Sequence, residues 1–138
     1  MKKRTQRRAL WAAALHGAWE YAQCPPFYDM GTMTGLRHHA LMIAATIGDV
    51  PITLGVAAAA ERLTSERDVR ETTARGTAAM LGAGLVAAAG LEWGAQKLRL
   101  WRYTERMPTV RVLDHEVGLA PIVQVTALAV WLAERTRH

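Results

Sequence analysis

The chain has 138 residues, 51% hydrophobic and 21% charged, with a formal net charge of +5. That length holds one domain, and a single cysteine, Cys24, excludes an internal disulfide. The mean hydropathy of +0.01 hides a segregation: charges crowd into short blocks and leave four long runs almost free of them.

A soluble helical bundle carries charge along the outer face of each helix. These runs lack a charged face. The expected fold class is therefore all-α, a four-helix transmembrane bundle forming a single integral membrane domain over 1–138. In a soluble protein the basic excess would suggest nucleic acid. Here Lys and Arg flank the apolar runs, where they anchor to lipid headgroups, so no nucleic-acid partner is expected.

The first helix is expected over about 9–24. Its basic start and apolar continuation imitate a signal peptide. His16 and Glu20 interrupt the apolar stretch, however, and Ala22-Gln23-Cys24 is a poor cleavage or lipidation site, so the helix is read as retained. Pro25-Pro26 is expected to stop it. His16 and Glu20 are four apart and share a face, with Gln23 three residues further on and Trp19 beside Glu20.

The second helix is expected over about 40–60. It carries Asp49, and Pro51 should kink it there. Ahead of it stands His38-His39. Adjacent helical residues point about 100° apart, and no H-x-x-x-H or cysteine cluster supports a metal site, so no metal or other cofactor is assigned.

The third helix is expected over about 76–96, with Glu92, Trp93 and Gln96 near its end. Gly90 and Gly94 are spaced G-x-x-x-G and are expected to lie against a neighbouring helix. The fourth, over about 117–133, places Gln124 three residues after Pro121. Sixteen helical residues cover about 24 Å, short for a core of about 30 Å. Helices 1 and 4 should therefore extend into their flanks, with Arg8 and Arg135 snorkelling.

Charge sets the expected orientation. The N-terminal block, the loop between helices 2 and 3 and the C-terminal tail hold eleven basic residues, including Arg62, Arg67, Arg70, Arg75 and Arg137. The other side holds six: Arg37, Lys97, Arg99, Arg102, Arg106 and Arg111. Both termini are expected in the cytoplasm.

Each span carries a polar residue that hydropathy alone would reject. With alternating helix direction, Glu20, Asp49, Glu92 and Gln124 all fall in the outer half of the bundle. A carboxylate in a span costs several kcal/mol, so such groups face a cavity or a partner. One expectation is a shared pocket floored by His16. The other is local pairing, Glu20 with His16, and Asp49 and Glu92 with Arg37, Arg99 or Arg102. The outer loops, with Tyr28, Trp101 and Tyr103, suit a lid or an aromatic belt at the headgroups. No phosphate loop, dinucleotide fingerprint, G-x-S-x-G or C-x-x-C is present.

Several pieces stand together: Trp19-Glu20-x-x-Gln23-x-Pro25-x-x-Tyr28-Asp29-Met30, Gly48-Asp49, Trp101-x-Tyr103-x-x-x-Met107-Pro108 and Gly118-x-x-Pro121-x-x-Gln124. Together they resemble a group of small bacterial four-helix membrane proteins with no assigned activity, over nearly the whole chain. The second half is also faintly similar to the membrane carotenoid (lycopene) cyclases. Their repeat has an aromatic W-x-Y stretch, a glycine-rich turn and a proline-led helix with paired acidic residues. This chain has Gln124 in that helix and no acidic pair. The similarity implies isoprenoid-like substrates.

Two functions follow from these residues. The first is a bacterial inner-membrane enzyme or binding protein for a lipid or isoprenoid-like molecule. Glu20, Asp49 and Glu92 would be its acid/base groups. His16, Trp19, Gln23, Tyr28, Trp93, Trp101, Tyr103 and Gln124 would contact the ligand, with the Trp faces holding a cationic intermediate. The second is a non-enzymatic small transporter or membrane-complex subunit. There the glycines of helix 3 would form an oligomer or partner interface and the carboxylates would carry protons or ions.

Overall fold

The four apolar runs do become helices, but their ends differ from the hydropathy limits. In the computed structural model, described over 2–31, 35–64 and 74–135, the helices are α1 (Lys2–Phe27), α2 (Leu36–Thr64), α3 (Ala74–Lys97) and α4 (Leu119–Arg135). Of the basic residues counted above, Arg67, Arg70 and Arg137 lie outside the described residues, as do the side chains of Lys2, Lys3, Arg4 and Arg135.

Pro25-Pro26 does not stop α1 but sits inside its last turn. Proline's φ of about −65° fits a helix, and what proline lacks is the N–H. The chain leaves the helix two residues later, and carbonyls there find outside donors. Thr104 donates its hydroxyl to the Pro26 carbonyl at 2.6 Å and its N–H to that of Phe27 at 3.0 Å. A bridge between Tyr28 and Tyr103 continues this seam, with the Asp29 N–H on the Arg102 carbonyl at 2.9 Å. The loop after α1 is thus pinned to the loop after α3.

α3 ends in a Schellman motif. Leu100 N–H reaches back to the Ala95 carbonyl at 3.0 Å and Arg99 N–H to that of Gln96 at 3.1 Å. Arg99 takes a φ of 54°, the left-handed conformation that usually falls to glycine. The reversal turns Leu100 and Trp101 back over the bundle.

The fold is helical as expected, and the outer loop between α3 and α4 adds a short hairpin. β1 (Thr109–Val112) pairs antiparallel with β2 (His115–Gly118), Thr109 opposite Gly118 and Val112 opposite His115. The β-branched run Thr109-Val110-Arg111-Val112 suits a strand, and Leu113 makes the turn at a φ of 54°. Val117 and Gly118, expected in the fourth helix, belong to β2. Pro121 sits in the first turn of α4, where backbone N–H groups have no helical partner in any case.

The helices close a ring, α1 on α2 and α4, α3 on α2 and α4. Toward the end that carries the termini the core is apolar: Val56 and Ala60 of α2 meet Met80 and Ala88 of α3 and Val125 and Ala129 of α4. Arg8 closes this end of the α1–α2 seam on Glu61 at 3.5 Å. Gly84 makes the close approach, since a Cβ there would stand 3.2 Å from the Thr126 backbone. Gly90 and Gly94, expected against a neighbouring helix, instead face open space.

By length and composition α2 and α3 can cross a membrane, and α4 carries a shorter apolar stretch, Leu119–Leu132. Their outward faces are apolar. Ile43, Ile47, Leu85, Val86, Leu91 and Val123 are each at least half exposed.

Candidate functional site: a buried polar network beside a lateral cavity

At the hairpin end the helices no longer fill the space between α2 and α3. A cavity of about 620 Å³ opens there. Small residues make the room: Ala45 and Gly48 on α2, Gly90 and Gly94 on α3. Leu41, Ile52 and Leu91 supply apolar wall, and Leu98, Leu100 and Trp101 cross its upper side after the α3 turn.

The cavity's polar floor comes from four places in the chain. Glu20 and Gln23 project from one face of α1, as their spacing requires, Asp49 from α2, Glu92 from α3 and Gln124 from α4. Glu20, Gln23, Glu92 and Gln124 are almost fully buried.

Trp19 decides how the amides point. Its indole N–H can only donate, and it meets Gln23 Oε1 at 2.7 Å. Gln23 Nε2 must then donate, to Glu20 Oε1 at 3.0 Å and Gln124 Oε1 at 2.7 Å. Gln124 Nε2 is thereby turned to three acceptor atoms: Glu20 Oε1 at 2.8 Å, His16 Nδ1 at 2.9 Å and Asp49 Oδ2 at 3.0 Å.

Two hydrogens cannot serve three acceptors. The conflict disappears if Thr53 donates to His16 Nε2, 2.7 Å away. His16 Nδ1 then carries the ring proton and faces Asp49 Oδ2 at 3.4 Å, leaving the Gln124 hydrogens for Glu20 and Asp49. Glu20 Oε1 and Asp49 Oδ2 thus stand side by side on one Gln124 nitrogen. Like charges gathered on one donor repel, and a proton shared by the pair removes that repulsion. Cys24 Sγ completes the group on Glu20 Oε2 at 3.1 Å.

Glu92 forms a second acidic corner. Tyr103 donates its hydroxyl to Glu92 Oε2, and Trp101 Nε1 approaches the same oxygen at 3.4 Å. Gly118 N–H holds the Tyr103 oxygen from the other side at 3.1 Å. Tyr28 packs edge-on against Trp101 and Tyr103, ring centres 6.1 and 5.7 Å away. Burial, then the hydrogen bond to Glu92, pushes the Tyr103 hydroxyl up to about 12, and burial moves Tyr28 upward as well. Both phenols therefore stay protonated near neutral pH.

No protein family, curated protein or solved structure matches the chain.

Of the residues singled out from sequence, Glu20, Gln23, Tyr28, Asp49, Glu92, Trp101 and Gln124 line the cavity. His16, Trp19 and Tyr103 stand behind it and act through hydrogen bonds to lining residues. Trp93 is placed elsewhere: its ring meets His115 of the hairpin and lies under Lys97.

The local arginine pairing considered for Asp49 and Glu92 is not formed among the described residues, where Asp49 meets His16 and Gln124 instead. His39, weighed as a metal signal, bonds the Tyr21 hydroxyl at 2.9 Å. Sequence reasoning missed Thr53 and Cys24. Each lies four residues beyond a named carboxylate, Asp49 and Glu20, and helical spacing alone could have found both.

Proposed function

We propose that this chain is an integral protein of a bacterial cytoplasmic membrane, with four spanning helices and both termini in the cytoplasm. Its outer-half cavity takes a lipid or isoprenoid-like molecule directly from the bilayer. The observation that carries this is the shape of the cavity: an opening between two lipid-length apolar helices, with small and aliphatic walls and a carboxyl floor. An apolar body would lie against Leu41, Ile52 and Leu91, and its polar end would meet Glu20 and Asp49. The apolar outward faces of α2, α3 and α4 support the membrane setting.

The Glu20–Asp49 pair gives the site a chemistry. A proton shared by two adjacent carboxyls would make one a donor and the other an acceptor, which suits proton transfer to or from a bound alkene or carbonyl. Gln124 keeps the pair together, and His16 with Thr53 supports Asp49 from beneath. Glu92, which accepts from two aromatic donors, would stand opposite them as a further acceptor.

The test is mass spectrometry of apolar molecules that co-purify from the native membrane. Wild type should retain a defined species that Gly90→Trp, which fills the opening, loses. Identical lipid profiles for the two proteins would sink the reading. Glu20→Gln and Asp49→Asn then separate binding from proton transfer, because they keep shape and remove the ionisable proton.

One observation favours the second reading, a transporter or complex subunit: Gly90 and Gly94 meet no side chain within the chain itself. A symmetric oligomer in detergent, closed over this face of α3, would favour it.

A further inference from the structure

The lining of the cavity is strongly biased in charge. The chain has 17 Lys and Arg against 12 Asp and Glu. Yet among the described residues the cavity wall holds four acidic residues, Glu20, Asp29, Asp49 and Glu92, and no Lys, Arg or His. A site for an anionic lipid, a phosphate or a fatty carboxylate would need the reverse.

Two more features point the same way. Tyr28 and Trp101 line the cavity near Glu92, and their ring faces attract cations. The walls away from the carboxyls are aliphatic, so whatever occupies them is apolar.

We propose that the ligand is a lipophilic cation, an apolar body carrying a protonated amine or other cationic nitrogen, and that its binding displaces the proton held between Glu20 and Asp49. This rests on the ligand site argued above and names the class of molecule it takes. The exchange balances. One cation enters, one O–H bond between the carboxyls breaks, one proton leaves to solvent, and no electrons move.

The charge count around the pair supports the exchange. The titratable groups facing it are His16 and Cys24 from α1, Glu92 from α3 and Tyr28 beyond the end of α1. α4 contributes the neutral Gln124. No arginine or lysine among the described residues forms an ion pair with either carboxyl. With Thr53 donating to its Nε2, His16 is a neutral ring, so a second ionised carboxylate here needs a cation from outside the chain.

The experiment uses the full chain in uncharged detergent, by equilibrium dialysis against matched micelles without protein. The probes are decylammonium, decanol and decanoate, which share one chain and differ in the head. Decylammonium should bind roughly tenfold or more tightly than decanol, the scale of a charge-assisted hydrogen bond, and decanoate should not bind. In weakly buffered solution near pH 7, saturation with decylammonium should release about one proton per protein, and decanol none. This readout needs no variant, so it survives if Asp49→Asn fails to fold.

Decanol binding as tightly as decylammonium, or no proton release, overturns the cation proposal and leaves the apolar site standing. Failure of all three probes to bind overturns both.

Discussion

Gln23 and Gln124 meet side chain to side chain at 2.7 Å, Nε2 of the first donating to Oε1 of the second, across 101 residues of sequence. That bond locks α1 to α4 and aims the other half of the Gln124 amide at Glu20 and Asp49. Gln124→Met keeps the volume and removes both hydrogens. Polar bonds inside membranes contribute roughly 1–2 kcal/mol each in model peptides, so the melting temperature in detergent should fall clearly. Trp19→Phe removes only the donor that orients Gln23 and should cost less. A Gln124→Met protein as stable as wild type would mean the network does not hold the bundle.

Gly84 and Gly90 lie on one helix and should respond oppositely to alanine. At Gly84 the new methyl would meet the Thr126 backbone, which cannot rotate away, so α3 and α4 must part and stability should drop by about 1–3 kcal/mol. At Gly90 it meets nothing within 4 Å. There alanine should be neutral or stabilising by up to about 1 kcal/mol through helix propensity. Thermal melts of the two variants decide it, and the reverse order would mean α3 is rotated from the position described.

Arg99 holds a left-handed turn at a φ of 54°. Arg99→Gly should remove strain of about 1 kcal/mol and raise the melting temperature. Arg102→Gly, at a residue whose φ is not positive, should not. Equal effects would show that lost charge, not backbone conformation, is responsible.

Tyr103 links stability to alkaline pH. Its hydroxyl ionises at about 12 in the fold against an ordinary 10.0, because burial and Glu92 oppose the phenolate. A raised folded value means the contribution is complete below pH 10 and is lost as the pH climbs from 10 toward 12. The stability difference between wild type and Tyr103→Phe should be flat up to pH 10 and then shrink. A difference that grows above pH 10 would contradict the Tyr103–Glu92 hydrogen bond.

Topology can be tested without a ligand. Reporter fusions at His138 and within Arg62 to Arg75 should both report cytoplasm, because the eleven-to-six basic bias and the four spans proposed above would put them on one side. A periplasmic signal from either position would reject the proposed orientation.

The sequence by itself determined the four helices, because long apolar runs between charge blocks leave the backbone little alternative. It also determined which side chains share a face within one helix: Glu20 with His16 and Gln23 follows from helical period alone. The hairpin was not read from the sequence: the β-branched run Thr109–Val112 is only four residues long and stands in a basic loop. Only the tertiary structure decided what those faces meet. A G-x-x-x-G spacing is permissive, and whether a neighbour fills it depends on how helices splay, so Gly84 packs while Gly90 and Gly94 border a cavity. The same holds for the polar network. Which acceptor a buried amide serves is set by contacts between helices far apart in sequence, and no local pattern encodes that the Trp19 N–H orients Gln23 and, through it, Gln124.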